Sequence, residues 1–266
     1  MTSPRFWFKS LWLWPAIIGV GIVALFAFPG GFVDKSRLLM HGLCAQTPTH
    51  TFNLGGQPLP FDARMTGIYS GALFTLLYLT VRGRLLAVQL PPVRVLVVLA
   101  VLVVAMAADG FNSLFTDIGW WHPWESSNAL RLFTGYGMGT VIAIALVWLV
   151  AGTIFHLADR RASVDSWRDL AICMLPLPVL YFAMDSQAGW LHIPFSMLLM
   201  LSAWIVLATL ATVTLLLASR YDERVMRIGH LHVPGAMGLV LGLCIMLALS
   251  FGRTWLERTL GIPSTL

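Results

Sequence analysis

The chain has 266 residues, of which 58% are hydrophobic and only 11% are charged, and its mean hydropathy is +0.80. Soluble domains carry about 25% charged residues, so this composition excludes an ordinary soluble protein and indicates a polytopic membrane protein. The formal net charge of +5 does not indicate nucleic-acid binding, because Lys and Arg are spread over short loops and form no basic domain.

Seven stretches are apolar over about 17–25 residues, the length that crosses the hydrocarbon of a bilayer. The predicted fold is therefore all-α, a membrane bundle of about seven transmembrane helices. The third span is short, and the fifth contains Pro176 and Pro178, which remove backbone donors in mid-helix and predict a kink or break. The predicted spans are residues 11–29, 66–81, 93–108, 131–155, 168–184, 193–218 and 234–252.

The distribution of positive charge predicts the orientation. Arg5 and Lys9 precede a first span that is too long for a signal peptide, so we expect it to remain as an anchor. Most Lys and Arg lie in the N-terminal segment or in loops on its side, which predicts a cytoplasmic N-terminus and an external C-terminus in a bacterial inner membrane. Cys44 alone lies in an outer loop, so no intrachain disulfide is expected.

Two outer loops, residues 30–65 and 109–130, are longer than a simple connection requires. Loops longer than about 12–15 residues tend to be functional or disordered. These two are rich in Trp, His, Gly and Pro rather than in Ser and Lys, which predicts an ordered outer face. We therefore divide the chain into a four-helix module with both loops, 1–158, and a module of three further helices, 159–266.

A short similarity connects the second and fourth spans. RMTGIYSGAL from Arg64 and RLFTGYGMGT from Arg131 share an arginine, a Thr-Gly pair, a tyrosine and small residues. This pattern predicts two parallel helical hairpins in the first four spans, related by an axis along the membrane normal, although chance explains so short a match equally simply. The glycines spaced four apart in each stretch predict close helix packing.

Three stretches in this order resemble one family: LCAQTPTHTFNLGGQPLPFDARMTGIYSG from Leu43, ADGF from Ala108 and ESSNALRLFTG from Glu125. The family is an uncharacterised group of bacterial membrane proteins, the domain of unknown function 2085. The resemblance covers roughly residues 35–150 and implies no activity. Where the family has a histidine after its first cysteine and then Cys-x-Arg-Cys, this chain has Ala45, Asp62 and Met65. The metal or thiol site that such cysteines imply is therefore incomplete here.

The two arginines predict a site for an acidic group. Spans two and four run inward, so their N-termini, which favour negative charge, lie at the outer face beside Arg64 and Arg131. An anionic lipid or a small anion could bind there. The alternative is that Asp62, Asp109 or Glu125 neutralises the arginines in internal ion pairs. The predicted ligand-binding residues are Arg64, Arg131, Asp109, Glu125, Asn128 and Gln46.

A second candidate is a residual metal site of His41, Cys44 and His50 with Asp62, although a polar outer surface explains these residues equally well. We assign no cofactor and no catalytic residue, because the sequence contains no nucleophile elbow, metalloprotease helix or phosphate loop. The sequence therefore predicts a non-catalytic accessory, assembly or ligand-holding subunit of a larger membrane complex, with the lipid bilayer and other membrane subunits as partners. The alternative is a membrane enzyme or transporter acting on an anionic lipid or metabolite at the outer face.

Overall fold

The computed structural model describes residues 12–154, 159–219 and 231–261. Most of these residues are helical, which confirms the predicted all-α membrane bundle. Arg5 and Lys9 lie outside the described residues. The helices are α1 (Leu13–Ala27), α2 (Phe32–Met40), α3 (Ala63–Val81), α4 (Val93–Asp117), α5 (Asn128–Ile154), α6 (Trp167–Met174), α7 (Pro176–Asp185), α8 (His192–Ser219) and α9 (His232–Leu260).

Within the described ranges, five segments are long and apolar enough to cross a membrane. They comprise α4, α5, α6 with α7, α8 and α9, so the protein is a multi-pass membrane protein. The other two predicted spans coincide with α1, which has 15 residues, and α3, which has 19. α3 is the more polar of the two because it contains Arg64 and several Thr, Ser and Gly residues, and half of it is buried inside the bundle.

The two long outer connections differ from their predicted extents. The third span is 25 residues long, not short, because α4 continues to Asp117. The prediction of a loop over 109–117 is therefore wrong, and the second outer loop is 118–127. Asp109, Asn112 and Ser113 are polar but buried in the helix, facing partners inside the bundle, so they do not end it. The first outer loop contains one helix, α2, and several shorter elements.

Short elements organise this first loop and the opposite end of the bundle. In the first loop, α2 is followed by a 3-10 turn, Pro48–His50, and by an antiparallel pair of strands, β1 (Asn53–Leu54) and β2 (Gln57–Pro58). At the opposite end, β3 (Ala87–Gln89) pairs in parallel with β4 (Asp159–Ala162). We call the end with residues 28–62 and 118–127 the outer end and the end with β3 and β4 the inner end.

The fifth predicted span is interrupted where its prolines predict. α6 ends at Met174 and α7 begins at Pro176, a first-turn position in which the missing N–H of proline costs no helical hydrogen bond. Beside this break, the Tyr136 hydroxyl donates a hydrogen bond to the Cys173 carbonyl oxygen at 2.9 Å. The break is therefore supported by a side chain from α5.

The closest helix contact is the crossing of α3 and α5, where both helices run in the same direction. A Cβ built on Gly135 would lie 2.2 Å from the Arg64 carbonyl oxygen, and one on Gly67 would lie 2.3 Å from the Leu132 carbonyl oxygen. No Cβ atom tolerates such distances. Only glycine therefore permits this approach of the two backbones, as the spacing of small residues predicts.

One turn further along, the same pattern repeats. A Cβ on Gly139 would lie 2.0 Å from the Ile68 carbonyl oxygen, and one on Gly71 would lie 2.3 Å from the Tyr136 carbonyl oxygen. Each helix thus offers the equivalent glycines to the equivalent carbonyls of the other, which gives the pair an approximate two-fold symmetry. The symmetry is seen in α3 and α5, while α1 packs against α9 and α4 packs against α5.

Candidate functional site

Arg64 and Asp109 form an ion pair at the outer end. Arg64, in the first turn of α3, donates from Nη2 to Asp109 Oδ2 at 2.7 Å and to the Asp109 carbonyl oxygen at 3.2 Å. Asp109 lies on α4 and is only 1% exposed. The Thr134 hydroxyl donates to the same carboxylate oxygen at 3.2 Å. Among the described residues, Asp109 Oδ1 and Arg64 Nε have no hydrogen-bond partner.

Arg131 is buried with neutral partners only. It lies in the first turn of α5 and is 5% exposed. Its Nε and Nη2 donate to Ser113 Oγ at 3.1 and 2.8 Å, and its Nη1 donates to Asn128 Oδ1 at 2.9 Å. In the described part of the chain, no carboxylate lies within 4.0 Å of this guanidinium. Asp109 is therefore the one carboxylate that pairs directly with an arginine of this cluster in the described residues, while Asp117 and Asp62 act on Arg131 only through their charge at longer range.

The other two predicted acidic partners do not pair with the arginines. The Glu125 side chain is 95% exposed and lies 3.7 Å from His122 Nε2. Asp62 instead caps α3, because its Oδ1 accepts a hydrogen bond from the Met65 backbone N–H at 2.8 Å. Of the three predicted carboxylates, only Asp109 pairs with an arginine, and it pairs with Arg64.

Asn112 and Ser113 of α4, which the sequence interpretation missed, join this cluster to the second outer loop. Asn112 donates from Nδ2 to the Trp124 carbonyl oxygen at 2.9 Å, and Asn128 donates to the Thr49 carbonyl oxygen at 3.3 Å. Ser113 Oγ accepts the two hydrogen bonds from Arg131 described above. Asp109, Asn112 and Ser113 are spaced by three and four residues, so they share one helical face. That spacing was a usable signal for a polar face directed into the bundle.

His50 lies beside the same cluster and pairs with Asp117 rather than with a predicted metal ligand. Its Nε2 is 3.2 Å from Asp117 Oδ1. Burial, and then the charge of Arg131, lower the pKa of His50, while Asp117 opposes the shift. The predicted set of four metal ligands is therefore divided. Within the described ranges, no three His, Cys, Asp or Glu side chains meet in a group that could hold a metal ion.

Cys44 occupies a second cluster of the outer end. Its Sγ accepts hydrogen bonds from the backbone N–H groups of Gln46 at 3.4 Å and Asp62 at 3.3 Å. Burial, reinforced by the Asp62 charge, raises the pKa of the Cys44 thiol to about 12. The Cys44 thiol is therefore held in its neutral form.

His41 is fully buried between Gln46 and Glu257. Its Nε2 lies 2.8 Å from Glu257 Oε2, and its Nδ1 lies 3.2 Å from Gln46 Oε1. Gln46 Nε2 donates to the carbonyl oxygens of Arg37 and Pro60, at 2.8 Å each, which turns Oε1 towards the histidine. Both ring nitrogens of His41 thus lie within hydrogen-bond distance of a side-chain oxygen.

Arg253 completes this cluster from α9. It donates from Nε to Glu257 Oε1 at 2.7 Å and from Nη1 to the carbonyl oxygens of His41, at 2.8 Å, and Cys44. The last helix is thereby attached to the start of the first outer loop. The sequence interpretation missed Arg253 and Glu257, whose one local signal is their spacing of four residues on α9.

Each of the two clusters includes residues of the segment that carries the sequence motifs. Residues 44–145 match the family described as a predicted membrane protein, DUF2085. This match confirms the resemblance of the motifs. The DUF2085 segment contains Cys44, Arg64, Asp109 and Arg131, whereas Glu257 and Arg253 lie outside it. No curated protein and no solved structure matches the chain.

The departures from the DUF2085 motif have a structural counterpart. Asp62 and Met65 occupy the positions of the two later cysteines, and both lie next to Cys44: the Asp62 N–H donates to Cys44 Sγ, and the Asp62 carboxylate accepts the Met65 N–H. In this chain the replacement residues cap a helix. Cys44 is therefore the single cysteine among the positions 44, 62 and 65.

Proposed function

We propose that the protein is a non-catalytic, ligand-holding subunit of a bacterial inner-membrane complex, and that its outer end binds the carboxylate or phosphate of a small anion or anionic lipid. The observation that carries the proposal is Arg131, a buried guanidinium whose partners are the neutral Ser113 and Asn128. A buried charge without a counter-charge in direct contact is costly. A bound anion would supply that contact.

The position of the arginines supports the same ligand chemistry. Arg64 and Arg131 both lie in the first turn of a helix, where the helix dipole favours an anion. Part of the Arg64 side chain is exposed, so a ligand could approach the cluster from that edge. Arginine also binds carboxylate and phosphate in a bidentate manner.

The titratable side chains of the outer end are paired with other side chains of the protein, which favours a ligand-holding role over catalysis. Asp109 is paired with Arg64, His50 with Asp117 and His41 with Glu257. A general base needs an accessible lone pair next to its substrate, whereas Asp109 and His41 are buried. The alternative hypothesis, an enzyme or transporter for an anionic lipid or metabolite, would use the same arginines.

The test measures anion binding by the purified full chain in detergent, with inorganic phosphate, acetate and phosphatidylglycerol as separate probes. We expect at least one probe to raise the melting temperature of the wild type and of Arg94→Gln, a control at the exposed inner end. Arg131→Gln, checked for folding by size exclusion, should lose the response. An equal response in folded Arg131→Gln, or none in any sample, would overturn the anion site.

Subunit status requires a separate measurement. The protein is extracted gently at native abundance and its intact mass is recorded by native mass spectrometry. Co-migrating protein subunits in fixed ratio support membership in a complex. A lone chain that carries a stoichiometric anion retains the ligand-holding function and removes the complex, whereas turnover of a bound lipid or metabolite would favour the enzyme.

A further inference from the structure

An apolar groove of about 610 Å³ lies between α1 and α2 on one side and α8 and α9 on the other. Its walls include Leu25 from α1, Trp204 from α8 and Met246 from α9. Ser250 also contributes, but its hydroxyl donates to the Leu38 carbonyl oxygen and is therefore satisfied. The groove is distinct from the two outer-end clusters.

The loose packing of α1 creates this groove. None of the residues of α1 is buried. The helix is held near its start by Trp14, whose Nε1 donates to the His232 carbonyl oxygen at 2.8 Å. It approaches α8 at Gly21, where a Cβ would lie 2.9 Å from the Trp204 ring. Large side chains of α8 and α9 therefore separate α1 from the bundle along the rest of the groove.

One positive charge lies at the outer end of the groove. Lys35, on α2, is the single charged side chain that lines it in the described residues. Its Nζ donates to the Phe28 carbonyl oxygen at 2.8 Å, which leaves two ammonium hydrogens for other acceptors. The adjacent Asp34 carboxylate is turned towards Gly31, at the start of α2. No ion pair involving Lys35 is found in the described chain.

We propose that the groove binds one acyl chain of an anionic glycerophospholipid of the outer leaflet, with the phosphate of that lipid at Lys35. An apolar groove at membrane depth is not stable when filled with water. A partner helix about 10 Å wide and three turns long would occupy more than about 1,000 Å³, which exceeds the groove. A single acyl chain is thinner, and a lysine attracts an anionic headgroup.

Native mass spectrometry of the purified full chain in detergent tests whether a lipid occupies the groove. Phosphatidylglycerol and phosphatidylcholine with identical acyl chains are titrated separately, and the lipid adducts are counted. Ala24→Phe fills the groove, and Ala107→Phe places the same side chain on an exposed face of α4 outside the groove. We expect Ala24→Phe to reduce the adduct of both lipids about tenfold or more, as for a tightly bound ligand excluded by volume, and Ala107→Phe to leave it unchanged.

The charge is tested independently. Lys35→Gln should lower the preference for phosphatidylglycerol over phosphatidylcholine by about fivefold, the contribution of one lysine near a membrane surface, while Arg94→Gln should retain it. Arg131→Gln should retain the phosphatidylcholine adduct and the phosphatidylglycerol adduct that Ala24→Phe removes, so failure here is distinguishable from failure of the anion site. An unchanged adduct in folded Ala24→Phe overturns the proposal. A dimer mass without lipid, or a partner protein that replaces the adduct, overturns it as well.

Discussion

The α3–α5 crossing and the groove beside α1 are both contacts between membrane helices, and they differ in the size of the residues that meet. At the crossing, four glycines bring backbone against backbone. Beside α1, Trp204, Met246 and several leucines hold the helices apart. Apolar side chains gain little from leaving lipid for protein, so membrane helices associate mainly through close packing and polar contacts. The crossing therefore stabilises the protein itself, whereas the groove leaves space for a lipid.

Breaking the ion pair beside the crossing should have the largest effect on stability. Arg64→Ala leaves the buried Asp109 carboxylate without its counter-charge, and we expect a loss of about 3–5 kcal/mol in the free energy of unfolding. Asp109→Asn should cost a similar amount. Lys35→Ala, at the groove, is the control. Unfolding in mixed micelles measures all three, and equal stability of Arg64→Ala and Lys35→Ala would remove the pair from this account.

A matched glycine pair compares the two contacts directly. Gly139→Ala puts a methyl group where only 2.0 Å separates it from the Ile68 carbonyl oxygen. We expect a loss of about 1–3 kcal/mol or more from overpacking. Gly19→Ala, on α1, meets nothing within 4 Å and should be neutral or stabilising by less than about 1 kcal/mol. Melting temperatures in one detergent suffice, and similar shifts for both variants would contradict the contrast.

On the side of α1, a smaller effect is expected. Trp14→Phe removes the indole donor to the His232 carbonyl oxygen and should cost about 1 kcal/mol, the net value of one hydrogen bond. Trp121→Phe is the matched control, because Trp121 is 81% exposed at the outer end. A loss with Trp14→Phe as large as that with Gly139→Ala would show that α1 is packed as firmly as α3.

The reactivity of two cysteines tests the same contrast by a measurement other than unfolding. Cys44 is buried and the pKa of its thiol is raised to about 12, so at pH 8.5 only a very small fraction of the molecules carries the thiolate. Cys244, on α9, is exposed. In single-cysteine variants in detergent, a permeant maleimide should label Cys244 readily and Cys44 only after unfolding. Rapid labelling of both would indicate that the outer end opens.

The sequence predicts the features that depend on local patterns. Apolar runs define the spans, and the glycine spacing predicts the α3–α5 contact, because both signals extend over only a few turns. Arg64 and Arg131 are also expected at the outer end from the orientation of their helices. The choice of acidic partner is different, since it depends on how α4 is rotated in the bundle. This rotation selects Asp109 and leaves Glu125 exposed.

Two errors have the same physical origin. Polar residues rarely face lipid, so the sequence pattern predicts the start of a loop at Asp109, Asn112 and Ser113. In the structure these residues lie on α4 and point into the bundle, where they contact Arg64, Trp124 and Arg131. The pairing of His41 with Glu257 joins positions 216 residues apart. No periodicity within one helix indicates that contact, because it arises only when α9 packs beside the first outer loop.

The reciprocal crossing of α3 and α5 has a consequence for biosynthesis. Each helix presents to the other the surface that a parallel homodimer would use, so α3 of one chain matches α5 of another as well as its own. During insertion α3 enters the membrane first and waits for α5. Residues 82–127, which include α4, link the two helices in one chain, and this link gives pairing within the chain a higher effective concentration than pairing between neighbouring chains.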